Sequence, residues 1–104
     1  MVDPREYLFS LPEKTDRVVL EGHYTIFHFE VDGSGHYTVH VEDGDIKVAE
    51  GLHGEAVCRV VTSAESFGKL ITKDMNPMMA MMMGQLRISN PGEMLKYAKI
   101  FGLL

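Results

Sequence analysis

Apolar and polar residues alternate in twos along the first half of the chain and recur in threes and fours along the second. From Gly22 to Val31, Thr25, Phe27, Phe29 and Val31 fall on one side of an extended chain, and Tyr24, Ile26, His28 and Glu30 on the other. Asp32-Gly33-Ser34-Gly35 interrupts the pattern, after which Tyr37, Val39 and Val41 share a face between His36 and Glu42. A three-residue loop, Gly33-Ser34-Gly35, sets Val31 against Tyr37, Phe29 against Val39 and Phe27 against Val41. A two-residue loop would set Phe29 against Thr38, and a one-residue slip turns every side chain over, so the first register is predicted. Asp43-Gly44 is a two-residue hairpin signal that carries the apolar face into a third strand, with Val41 opposite Ile46 and Val39 opposite Val48. Ala56 to Thr62 reads as a fourth strand, too uniformly apolar to assign faces, which suggests a central place in the sheet.

Helical periods frame these strands. Residues 4–12 place Tyr7, Leu8 and Leu11 on one face, with Pro4 in the first turn and Pro12 as the stop. Glu13 to Asp16 is a charged connector, and the strand region is expected to begin near Arg17 or Val18. Thr62-Ser63-Ala64-Glu65 reads as a capping box, the Thr62 hydroxyl accepting from the Glu65 N–H, before a helix with Phe67, Leu70 and Ile71 on one face. Asn76-Pro77 opens and Gly84 closes a short second helix, and Leu86 and Ile88 alternate with Gln85, Arg87 and Ser89 as a last strand. Asn90-Pro91 opens the final helix, with Met94, Leu95, Ala98 and Phe101 inward and Lys96 and Lys99 outward. The order is that of an α+β domain with helices covering one face of a sheet.

Six of the eight methionines lie between Met75 and Met83. A short helix with no polar face is expected to be core or the wall of an apolar cavity. Methionine's unbranched thioether suits either place, because it repacks around irregular neighbours.

Composition narrows the chemistry. A chain of 104 residues, 45% hydrophobic and 24% charged, predicts one globular domain spanning residues 1–104. A net charge of −5 with no run of lysine or arginine argues against nucleic-acid partners and against a polybasic grip on anionic lipid. No apolar run approaches the roughly 20 residues of a membrane span, and Met1 to Glu6 lacks the features of a secretory signal, so a cytoplasmic protein is expected. Cys58, the single cysteine, has no disulfide partner in the chain and sits among valines as a buried thiol. In the predicted register His28 faces His40 beside Glu30, but Lys47 lies opposite His40 and no fourth ligand presents itself, so no metal is predicted. Ser34, Ser63, Ser66 and Ser89 have turn or capping roles. No catalytic residue and no cofactor are predicted.

The stretch from Ser63 to Ser89 resembles the sterol carrier protein 2 (SCP2) domain. The likeness is carried by Thr62-Ser63-Ala64-Glu65-Ser66-Phe67, by Leu70 four residues before Asp74, and by Asn76-Pro77-x-x-Ala80-x-Met82-x-Gly84-x-Leu86-x-Ile88-Ser89. It implies a mostly antiparallel five-stranded sheet with helices packed on one face and a lipid cavity between them. Carried onto this chain, it implies a wall of Phe67, Leu70, Ile71, Met75, Met79, Met82, Met83, Leu86 and Ile88, lined or closed by the C-terminal helix with Met94, Leu95, Ala98 and Phe101. The implied function is non-catalytic binding or transfer of a lipid of fatty acid, fatty acyl-CoA, sterol or isoprenoid type, with transient membrane contact at most. The alternative is a module of the same fold for protein interaction or homodimerisation, or an accessory domain to a separately encoded enzyme. The chain departs from the family in its reduced N-terminal helices, its Asn90-Pro91-Gly92 after the last strand, and a C-terminus that is not a peroxisomal address.

Overall fold

A computed structural model describes residues 2–103. Strands β1 (Tyr24–Asp32), β2 (Gly35–Glu42), β3 (Asp45–Glu50), β4 (Cys58–Ser63) and β5 (Leu86–Ile88) form one sheet in the order β3-β2-β1-β4-β5. Three of the four pairings are antiparallel, and β1 with β4 is parallel. Helices α1 (Pro4–Phe9), α2 (Leu11–Lys14), α3 (Ala64–Ile71), α4 (Pro77–Met82) and α5 (Pro91–Tyr97) complete the α+β fold. None of them is long and apolar enough to cross a membrane.

Strand alternation builds the core. Phe27, Phe29, Val31, Tyr37, Val39, Val41, Ile46, Cys58, Val60 and Leu86 all point to one side and are buried. Against them the helices and their connections bury Leu8, Leu11, Leu20, Phe67, Leu70, Met94, Tyr97 and Phe101. The turn Asp43-Gly44 holds φ values of +45° and +91°, the paired left-handed conformation of a tight hairpin, and the predicted β2–β3 register is present.

The β1–β2 register differs from expectation by two residues. Phe29 pairs with Tyr37 and Phe27 with Val39, because the loop is Asp32-Gly33-Ser34, with Gly33 at φ +87° and the Ser34 N–H donating to the Val31 carbonyl at 2.9 Å. A slip of two keeps every side chain on its own face, so hydrophobic alternation cannot distinguish the two registers. One consequence is that His28 opposes Thr38 and the His28–His40 pair does not form.

Several boundaries also differ. Pro12 does not end a helix; it sits in the first turn of α2, where its missing N–H costs nothing. Residues Arg17–Leu20 form a 3-10 turn capped by Asp16, with Val18 and Val19 exposed, and β1 begins only at Tyr24. Ser63, not Thr62, caps α3, accepting from the Ser66 N–H at 3.0 Å. Thr62 is still strand, and its hydroxyl donates to the Gln85 carbonyl. In α5 the inward residues are Met94 and Tyr97, while Leu95 is 68% exposed. The loop from Gly51 to Val57 crosses the second face of the sheet. The Thr38 hydroxyl donates to the Gly51 carbonyl and accepts from the His53 N–H, and His28 Nε2 donates to the His53 carbonyl at 2.9 Å. Loop and sheet together bury His28 and Thr38.

Candidate functional site

Strands, helices and their connections direct large apolar side chains into the layer between sheet and helices. Phe27 and Phe29 rise from β1, their ring centroids 6.3 Å apart. Phe101, just beyond α5, lowers its ring onto both, at 4.8 Å from Phe27 and 5.2 Å from Phe29. Tyr97 packs edge-on against Phe27 at 5.7 Å, its hydroxyl 3.0 Å from His23 Nδ1. From α3, Phe67 meets Tyr7 edge-on at 5.8 Å. Edge-to-face packing of this kind matches ring edges to ring faces and adds to simple burial.

The expected wall residues divide. Phe67, Leu70, Leu86, Met94, Ala98 and Phe101 are buried in the layer, and Ile71, Met75 and Ile88 are partly buried against it. Met79, Met82 and Met83 are 60%, 83% and 65% exposed and face solvent. The expectation that an all-apolar helix must be core or cavity wall is therefore corrected for α4. Its Asn76 side chain caps the first turn, and Gly84 at φ +76° lets the Gln85 N–H close on the Ala80 carbonyl at 2.8 Å. With both ends satisfied, burial of Ala80 alone seats the helix, and its larger side chains point outward.

The layer is filled by side chains, and its last contribution is the segment after α5. Leu103 and Phe101 are buried there. Two side chains from elsewhere in the fold hold the segment, the Tyr7 hydroxyl donating to the Phe101 carbonyl at 3.0 Å and Lys73 Nζ to the Gly102 carbonyl at 2.7 Å, and backbone hydrogen bonds back to α5 and its end, such as Phe101 N–H to the Tyr97 carbonyl at 3.2 Å and Leu103 N–H to the Ala98 carbonyl at 2.9 Å, add to them. Gly102 sits at φ +75°, and a Cβ there would fall 2.1 Å from the Tyr7 hydroxyl oxygen, so only glycine fits. Burial pushes the Tyr7 phenol above its ordinary range. Tyr97 shifts the same way, by burial and then by the nearby Glu93 carboxylate.

Several depressions mark the surface. One of about 870 Å³ lies between α1, α3 and the β1–β2 turn, lined in part by Pro4, Gly33, Gly68 and Thr72. Another, of about 460 Å³, lies beside β5. Among the described residues no group of three His, Cys, Asp or Glu side chains is placed to hold a metal ion. Cys58 is fully buried, and burial raises its thiol pKa.

Sequence reasoning missed Tyr97, Leu103 and the Tyr7–Gly102–Lys73 latch. The helical series from Met94 through residues 97, 98 and 101 contains Tyr97, and the greater hydropathy of Leu95 obscured it. No local signal marks a contact between residues 7 and 102.

Among solved structures, the inverting sec-alkylsulfatase Pisa1 from Pseudomonas sp. contains this fold at TM-score 0.79 and 16% identity, over 99% of this chain but only 16% of that one. Sterol carrier protein domain 2 of Helicoverpa armigera superimposes at TM-score 0.76 with 22% identity, over 92% of this chain and 83% of that one. Palmitated SCP2L2 from Aedes aegypti does so at 0.67 with 13% identity, over 90% and 87%. A search of curated proteins returned no match. The profile of the SCP-2 sterol transfer family matches residues 6–102, and the chain belongs to that family.

Proposed function

We propose that the protein binds and transfers a lipid without catalysis, taking the ligand's apolar chain into the layer between sheet and helices. The observation that carries this reading is the convergence of Phe67, Leu70, Leu86, Met94 and Ala98 on one apolar layer around Phe27 and Phe29. Ile71, Met75 and Ile88 border the same layer. In this reading Phe101 and Leu103 occupy room that the ligand takes, and the segment bearing them moves aside as it loads. The side-chain hydrogen bonds that tie the segment to the rest of the fold come from Tyr7 and Lys73, each contributing on the order of 1 kcal/mol. Each methylene moved out of water contributes about 0.8 kcal/mol, so one long acyl chain can offset both the segment's displacement and the cost of association. The palmitated form of the Aedes aegypti neighbour favours an acyl chain as the first ligand to try.

The test is mass spectrometry of gently purified protein, first intact and then after organic extraction, followed by titration with a fluorescent fatty acid. A stoichiometric lipid or micromolar uptake is the expected result. An empty protein that also refuses the fatty acid at micromolar concentration overturns the reading. A second reading, an accessory domain that shields an apolar substrate for an enzyme, draws on the presence of this fold inside the alkylsulfatase chain. It predicts stable association with an enzyme rather than ligand transfer by the protein alone.

A further inference from the structure

The side chains that hold the segment after α5 are hydrogen-bond donors, and both give their hydrogens to acceptors that the segment carries. The Tyr7 hydroxyl donates to the Phe101 carbonyl at 3.0 Å and Lys73 Nζ to the Gly102 carbonyl at 2.7 Å. The two acceptors are consecutive in the chain, so donors from α1 and from the turn after α3 converge on points one peptide unit apart. The inner side of the same place is apolar. A Cβ on Gly102 would lie 3.7 Å from Ile71 Cδ1, and the Tyr7 ring meets Phe67 edge-on at 5.8 Å. Donors therefore stand where the apolar layer reaches the surface.

Lys73 is an unusual residue for its position. It follows α3 with φ +70°, a left-handed backbone at which glycine is the common choice. A long side chain stands there instead, and its ammonium reaches the segment. A peptide carbonyl is a neutral acceptor, and a carboxylate would hold the same ammonium about twice as strongly. A second cation lies close by, with Lys14 Nζ 4.5 Å from the Tyr7 ring centroid. Neighbouring carboxylates do not neutralise these groups. Asp74 accepts from the Thr72 hydroxyl at 2.8 Å, and among the described residues neither Lys14 nor Lys73 forms an ion pair, with Glu6, Glu13 or any other carboxylate.

When the segment moves aside, the Phe101 and Gly102 carbonyls leave with it. A ligand with no polar end would leave both donors without the acceptors they hold in the closed state. An alcohol offers one oxygen and no charge. A carboxylate offers two acceptor oxygens and the opposite charge, one oxygen for each donor.

We infer that the ligand is a long-chain carboxylic acid bound head outward, its carboxylate accepting from the Tyr7 hydroxyl and Lys73 Nζ in place of the Phe101 and Gly102 carbonyls. Its alkyl chain takes the room that Phe101 and Leu103 vacate. The inference rests on the carrier reading and adds the polar end of the ligand to it. The same two side chains thus hold the segment in the empty protein and the head group in the loaded one.

The experiment is calorimetric titration with lauric acid and with lauryl alcohol, which share one alkyl chain and differ at the head. The native protein should bind the acid at least about tenfold more tightly, the factor by which a charged hydrogen bond exceeds a neutral one. Removing the donors also loosens the segment, which favours either ligand equally, so the ratio of the two affinities reports the head group. Tyr7→Phe/Lys73→Gln should bring that ratio down about tenfold or more. Lys73→Gln alone, at an exposed position that leaves the core intact, should lower it in the same direction, and Lys73→Arg should keep it. Lys47→Gln removes an equal charge from the second face of the sheet and should leave the ratio unchanged. Circular dichroism shows that each variant is folded. Equal affinity of the native protein for acid and alcohol overturns the inference and leaves the carrier reading standing. So does a native ratio in Lys73→Gln and in the double variant, or an equal fall in Lys47→Gln. Binding of neither ligand removes both readings together.

Discussion

Replacing Phe101 with alanine tests both how the layer is built and what it is for. The ring is 2% exposed and sits 4.8 Å from Phe27 and 5.2 Å from Phe29. Truncation removes those contacts and leaves a void that the sheet cannot close, since Phe27 and Phe29 are fixed by strand pairing on both sides. The expected cost is about 3–5 kcal/mol. For a domain of this size total stability is on the order of 5–15 kcal/mol, so the melting temperature should fall by roughly 15 °C or more. Phe101→Leu, which keeps most of the volume, should cost about 1 kcal/mol. Calorimetry or urea titration measures both. The functional half has the opposite sign: if the ring occupies the ligand's room, Phe101→Ala should bind a fatty acid more tightly than the native protein. Saturating ligand, at about a hundredfold over its Kd, should then restore roughly 2.7 kcal/mol. A loss of stability below about 1 kcal/mol would show that the ring is not packed as described. Weaker fatty-acid binding by a folded Phe101→Ala protein would refute the displacement of this segment by ligand.

Further outcomes follow from burial and charge. Met82→Glu should change stability by no more than about 0.5 kcal/mol, because the side chain is 83% exposed, while Ala80→Leu, at a fully buried position of the same helix, should cost about 1–3 kcal/mol by overpacking; urea titration separates them. Alkaline titration should be destabilising. Burial raises Cys58 above 9.0 and Tyr7 and Tyr97 above 10.0, so the folded state keeps protons that the unfolded chain releases. Their contribution is complete below those ordinary values and is lost as pH rises through the raised ones, and Tyr7→Phe should reduce the slope above pH 10.0. The Cys58 thiol, fully buried, should react with a thiol reagent only at the rate of unfolding, and rapid stoichiometric labelling of folded protein would contradict its placement.

The fold was legible because its signals are local. Period-two alternation identified β1, β2, β3 and β5 and their faces, Asp43-Gly44 fixed the β2–β3 register, and the Asn-Pro pairs and Gly84 bounded the later helices. The Asn76-to-Ser89 spacing carried the family resemblance because each of its residues answers a local need, whether a cap, a stop or an inward strand position. Errors arose where two solutions satisfy the same local rule. A slip of two residues keeps every face, so hydropathy could not choose between the β1–β2 registers, and the register adopted closes on Asp32-Gly33-Ser34 with Gly33 at φ +87°. Thr62 and Ser63 can each cap a helix, and the decision lay with the Gln85 carbonyl, which took the Thr62 hydroxyl from another strand.

What only the tertiary structure decided is what each apolar side chain meets. Apolar character in sequence states that a residue gains by leaving water, but not whether the space next to it is already filled. Phe101 and Leu103 fill the layer between sheet and helices, held there by a tyrosine 94 residues away from Phe101 along the chain. Met79, Met82 and Met83, expected in that layer, remain outside it, because α4 is satisfied at both ends and seated by one alanine. Sequence determined that α4 would form and where it would stop. Packing, which depends on distant residues competing for one volume, determined that it faces outward.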